Sequence, residues 1–266
     1  MERLLFLRLQ VQGCSAEAFI NDIPMGRAFA PAGALCLPVH EYLIEGANEI
    51  SLVIQPGQPG VKSAAPKAQV AEAVIGANLR LLLPRVGRIG SDTQARTVAE
   101  VTWSAAEGDV FTAPALVSNS VVLPIKFPRW RWLDAPPIDD VEAHREAVSV
   151  FLHRIALDLM RGDVETLLKV SRLRLEELAL AYQQPVVELV SRFRSRLQLL
   201  YATKGLRMVV PGAPELVLRK CAGGRLLECL GGDGSPALMA APTKDGVSSA
   251  WPARLTVING QCHILR

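Results

Sequence analysis

The five cysteines, Cys14, Cys36, Cys221, Cys229 and Cys262, include no C-x-x-C pair. Their odd number and wide spacing exclude a disulfide framework or a zinc ribbon, and leave free, buried thiols in a reducing compartment as the expectation. The histidines, His40, His144, His153 and His263, are scattered, and none stands three or four residues from another, so a helix-face metal pair is excluded and no metal is expected. No window offers the ~18 consecutive apolar residues of a membrane-spanning helix. The net charge is only +3, with no dense basic stretch interleaved with aromatics, which argues against nucleic acid as a partner. P-loop, G-x-G-x-x-G, H-E-x-x-H and G-x-S-x-G patterns are all missing, and the glycine-rich run Gly231–Gly234 lacks the strand and helix that a phosphate cradle needs. No cofactor is therefore expected.

What is present is ordinary globular material. Half of the 266 residues are apolar and 21% are charged, enough for two domains, each with its own core. The first residues, MERLLFLRLQVQGC, superficially suggest a secretion signal. Glu2 and the interruptions at Arg8 and Gln10 break the roughly 7–15-residue apolar region that a signal requires. Leu5, Leu7, Leu9 and Val11 instead alternate with less apolar neighbours, a period of two that predicts a strand. A soluble cytoplasmic protein is the expectation.

The first half reads as consecutive strands: Leu4–Gln12, Ala16–Ile20, Met25–Phe29 after a turn at Asn21–Pro24, and Glu49–Ile54 with Ile50, Leu52 and Ile54 on one face. Residues 56–72 read as a loop, and strands resume at Ala77–Leu83, Arg96–Ser104 and Ser120–Phe127. Three segments, Ile20–Gly26, Pro38–Leu43 and Gly46–Leu52, carry a pattern that resembles the galactose-binding-like jelly-roll domains attached to many glycosidases. That resemblance implies an antiparallel β-sandwich and, as one functional alternative, carbohydrate binding.

The segment Phe127–Pro137 closes this half. Alternation places Trp130 and Trp132 on one face and Arg129 and Arg131 on the other. The indoles are candidate binding residues, as a stacking platform for a sugar or base, or else they are buried between domains. The prolines at 136 and 137 mark a linker, so the expected domains are 1–137 and 138–266.

The second half opens with a helix to about Met160, capped by Asp139 or Asp140 and striped by Val148, Leu152, Ile155 and Leu159. Gly162 ends it, Asp163 caps a second helix through Ala181, and Pro185 opens a third, Val186–Thr203. Short strands follow, closed by an Asn259-Gly260 hairpin. Helices followed by a meander make this half α+β. The junction Ala156–Leu168, an "A-x-x-x-G-D-x-x-x-L" pattern, resembles the NTF2-like superfamily, which implies helices packed against a curved sheet in a cone. The resemblance further implies room for a small apolar ligand in the cone. If the domain were an isomerase or dehydratase, an acid or base would come from Asp158, His263, His153 or Tyr201.

On the third helix, Arg192 and Arg196 stand one turn apart, with Arg194, Lys204 and Arg207 nearby. They are candidate contacts for an acidic protein partner. The expected function is non-catalytic binding of a protein, of the adaptor, chaperone-like or immunity type, with a homodimer as one allowed assembly.

Overall fold

The computed structural model describes residues 4–56, 66–84, 95–243, 246 and 248–266. Its backbone falls into two compact units, Met1–Arg129 and Trp130–Arg266. The division comes before the expected linker at Pro137, because residues 130–137 are bonded into the second unit. The Arg131 amide donates to Glu177, and Arg225 donates to the Ala135 carbonyl.

Unit 1 is built from β1 (Phe6–Gln12), β2 (Cys14–Ile20), β3 (Ile23–Ala28), β4 (Ala32–Pro38), β5 (Gly46–Pro56), β6 (Lys67–Val70), β7 (Ile75–Leu83), β8 (Arg96–Ala105), β9 (Val110–Ala113) and β10 (Ala115–Leu123). One sheet has the order β4-β1-β7-β8, the second β10-β5-β2-β3, and β6 pairs with β9. All pairings are antiparallel. The two large sheets contact each other through β2, β5 and β7 and through β8 and β10. Leu5, Leu7, Leu9 and Val11 are buried, as are Ile50, Leu52 and Ile54, so period-two alternation in these strands does mark the core face. The last strand departs from expectation. It ends at Leu123 because Pro124 cannot donate to a ladder. β6 and β9 were not anticipated, since four-residue strands carry too little alternation to be read; residues 57–65 of the expected loop lie outside the described set.

The β2–β3 hairpin turns on Asn21 and Asp22, with φ of 50° and 63°, a left-handed pair that Asn and Asp tolerate better than other side-chain-bearing residues. Asn21 then reaches into the rest of the unit. Its Nδ2 donates to the Tyr42 carbonyl and to Asn48 Oδ1, both at 2.9 Å. Its Oδ1 accepts the Glu49 amide at 3.0 Å. Asn48, buried, also accepts the Ile44 amide and donates to the Ile44 and Gly46 carbonyls. The three segments that carried the first resemblance therefore meet in a single carboxamide network.

Unit 2 contains α1 (Glu142–Met160), α2 (Glu165–Val170), α3 (Arg172–Ala181) and α4 (Val186–Ala202), then β11 (Met208–Val209), β12 (Val217–Cys221), β13 (Leu226–Leu230), β14 (Met239–Ala240), β15 (Arg254–Ile258) and β16 (Gln261–Ile264). The sheet order is β12-β13-β15-β16, all antiparallel, and β11 pairs with β14. The chain as a whole thus mixes α-helices with antiparallel sheets. Val148, Leu152, Ile155 and Leu159 are at most 1% exposed and anchor the core. α1, α2 and α3 each touch β16, and α4 packs on α2 and α3. The helix expected from Val164 to Ala181 is broken at Ser171, a buried residue that ends α2 and precedes α3. At the α1–α2 junction Gly162 has φ of 85°, and a Cβ there would lie 2.8 Å from the Tyr201 ring. Glycine is needed at this position twice over, for conformation and for room. The hairpin at Asn259-Gly260 has φ of 50° and 76°, which suits a tight turn between strands. No helix among the described residues is long and apolar enough to cross a membrane.

Candidate functional site

Trp130 precedes a 3-10 turn over Arg131–Leu133, and Trp132 lies within it. Trp130 is fully buried and Trp132 nearly so, and the Arg266 guanidinium lies 5.7 Å from the centre of the Trp130 ring. Neither indole face is open to a ligand, so the stacking-platform expectation is corrected: burial in the core takes these rings. Alternation still sorted the residues properly, since Arg131 faces outward and pairs with Glu176 at 2.8 Å. Beneath it, Glu177 accepts the Arg131 amide through Oε1 and the Arg266 guanidinium through Oε2. A second buried carboxylate, Glu228 on β13, is held by Arg219 Nε at 2.9 Å and by Arg254 at 3.3 Å. Both clusters neutralise charges that would otherwise be costly in the core, and both are structural. Sequence reasoning missed them because their members are far apart in the chain.

The four candidate acid–base residues do not converge. His153 and Asp158 are both half-buried on α1 and line one groove of about 740 Å³, together with Val150, Leu157 and the turn at Gly212-Ala213. Val150 and Leu157 are exposed, and the groove runs along the face of α1 opposite its core stripe. His153 Nδ1 lies 2.9 Å from the Ser149 carbonyl. A carbonyl only accepts, so Nδ1 carries a proton there. Arg145 ties down the far wall by donating to the carbonyls of Ala213 and Leu216. Tyr201 is exposed and set against Gly162, while His263 is half-buried on β16 opposite Thr256. Neither of these two lines the groove. Asp163 does cap, its Oδ1 accepting the Glu165 amide at 3.0 Å.

α4 offers a different kind of surface. It buries only Leu197 fully, and rests Leu189, Val190, Phe193 and Leu200 against the core. Of its three arginines, Arg194 is engaged: Nε and the guanidinium fork meet Glu165 at 2.7 and 3.0 Å. The hydrogen bonds from Arg194, helped by its charge, hold the Glu165 carboxyl below the usual carboxylate range. Arg192 and Arg196 are exposed, one turn apart, and Leu199 beside them is 64% exposed. Arg192 bonds the Gln184 side chain, which is neutral, so its charge is not cancelled.

The thiols divide cleanly. Cys14, Cys221 and Cys229 are buried, Cys36 is exposed and none of the five forms a disulfide. Burial pushes the Cys262 thiol up to about 11, leaving it protonated and unreactive near neutrality. Among the described residues no cluster of His, Cys, Asp or Glu could hold a metal ion. No protein-family model, curated protein or solved structure matches this chain.

Proposed function

We propose that this is a non-catalytic, cytoplasmic binding protein of the adaptor, chaperone-like or immunity type. Its second unit takes an acidic segment of a protein partner along α4. In this proposal the first unit is a jelly-roll-like β-sandwich and the second an NTF2-like helix-and-sheet domain. The observation that carries the reading is the exposure of Arg192 and Arg196 on one face of α4 beside the exposed Leu199. Two uncompensated cations next to an apolar side chain suit an acidic, partly apolar peptide surface: charge steers encounter and the leucine is desolvated on contact. The test starts from a protein that co-purifies from the native cell. Reversing Arg192 and Arg196 to Glu should weaken its binding about tenfold or more, with unchanged circular dichroism, and high salt should shrink the difference. Binding unaffected by the double reversal would overturn the proposal.

A small-molecule isomerase or dehydratase is the second reading. It is favoured by His153 and Asp158 lining the same groove. On that reading Asp158→Asn abolishes turnover of a co-purifying small molecule while the α4 reversal leaves turnover alone.

A further inference from the structure

The groove face of α1 carries a pattern that the acidic-partner proposal does not use. Glu146, Val150, His153, Leu157 and Met160 recur at alternating intervals of four and three residues, so they form one stripe along the helix. Val150, Leu157 and Met160 are 59%, 47% and 42% exposed, high for apolar residues on a helix that is otherwise well packed. Four charges lie on or beside the stripe: Glu146, Arg154, Asp158 and Arg161. None of the four has an ion-pair partner among the described residues, although neighbouring exposed charges do pair, Glu142 with Arg145 and Glu165 with Arg194. Two are acidic and two basic, so the face is neutral as a whole, and the pairs that helix spacing would allow, Arg154 with Asp158 and Asp158 with Arg161, are not made among the described residues.

Their order is self-complementary. Glu146 and Arg161 are equidistant from the midpoint between His153 and Arg154, and so are Val150 and Leu157. We propose that α1 is the interface of a homodimer, in which the α1 helices of two copies lie antiparallel about a two-fold axis near His153 and Arg154. In that arrangement Val150 of each copy meets Leu157 of the second copy, and Met160 extends the contact at either end. Glu146 faces Arg161 of the second copy, and the relation repeats on the other side of the axis. Arg154 approaches its own equivalent near the axis, and Asp158, about one turn along the same helix, offsets that repulsion. The turn at Gly212-Ala213, held by Arg145, forms the rim. A single-helix contact is small, so the affinity expected is no tighter than roughly micromolar. Pairing would cover His153 and Asp158, which makes the dimer incompatible with the groove as an open catalytic site.

Sedimentation velocity and light scattering of the full chain over a concentration series test this directly. The expectation is a reversible monomer–dimer equilibrium. Glu146→Arg alone and Arg161→Glu alone should each weaken it about tenfold or more, because each creates two like-charge contacts per dimer. The double variant Glu146→Arg/Arg161→Glu should dimerise again, since each copy still presents both signs at mirrored positions. That recovery is specific to a self-pairing face; an unrelated partner would be repelled by the double variant as much as by either single one. Leu157→Asp should abolish dimers without unfolding a side chain that is already exposed. A chain that stays monomeric throughout, a dimer indifferent to both single reversals, or a double variant no better than the singles would each overturn the proposal.

Discussion

Both units bury polar side chains, but for different purposes. In unit 1 Asn48 serves mainly the backbone: it bonds both peptide groups of Ile44 and the Gly46 carbonyl, and only its link to Asn21 is to another side chain. In unit 2 Glu228 serves side chains, the guanidinium groups of Arg219 and Arg254. A buried peptide group cannot be deleted, so a side chain that satisfies it has no apolar substitute. A pair of side chains can be deleted together. Glu177 lies between these cases, since it accepts one backbone amide and one guanidinium.

The largest effect that tests this contrast is at Glu228. Glu228→Ala leaves Arg254 buried without its counter-charge and should cost about 3–5 kcal/mol in urea unfolding. Glu228→Leu combined with Arg254→Met should recover most of that, because the partially exposed Arg219 can turn to solvent. If the double variant is as unstable as the single one, the pair does more than neutralise itself. Next comes Asn48→Ala, expected to cost about 2–3 kcal/mol through orphaned peptide groups. Here the sharper measurement is the second substitution: Asn48→Ala with Asn21→Ala should not recover stability, in contrast to the Glu228 pair. A recovery there would erase the distinction between the two units.

The smallest effect belongs to the surface. Arg145 holds the Glu142 carboxyl below its ordinary range, as Arg194 does for Glu165. A folded-state pKa below the unfolded value stabilises fully above the unfolded carboxylate pKa, ~4.3, and the contribution is lost as pH falls through the folded value. Both carboxylates are exposed, so solvent screens the pairs. Thermal melts of Glu142→Gln and Glu165→Gln should fall just short of the parent near neutrality and merge with it in acid. A gap that widened in acid would reverse the sign and refute the assignment.

Much of the unit 1 core was legible because alternation in β1 and β5 is a local signal: one face must leave water, and the residues say which. The α1 core stripe was legible for the same reason. The sequence also carried the Asn21-Asp22 and Asn259-Gly260 turns, since left-handed backbone selects these residues. At the candidate surface, local spacing was enough to place Arg192 and Arg196 on one face of α4. It could not separate them from Arg194, whose partner Glu165 stands on another helix.

The sequence by itself determined which residues seek the core, where the chain turns and which charges cluster, because those depend on backbone conformation and solvation within a few residues. Only the tertiary structure decided that Trp130 lies under Arg266, that Glu177 and Glu228 are held by distant arginines, and that Glu146, Arg154, Asp158 and Arg161 find no ion-pair partner among the described residues. Each of those outcomes depends on which elements the topology brings side by side, and pairings across tens of residues leave no periodic trace in a single chain.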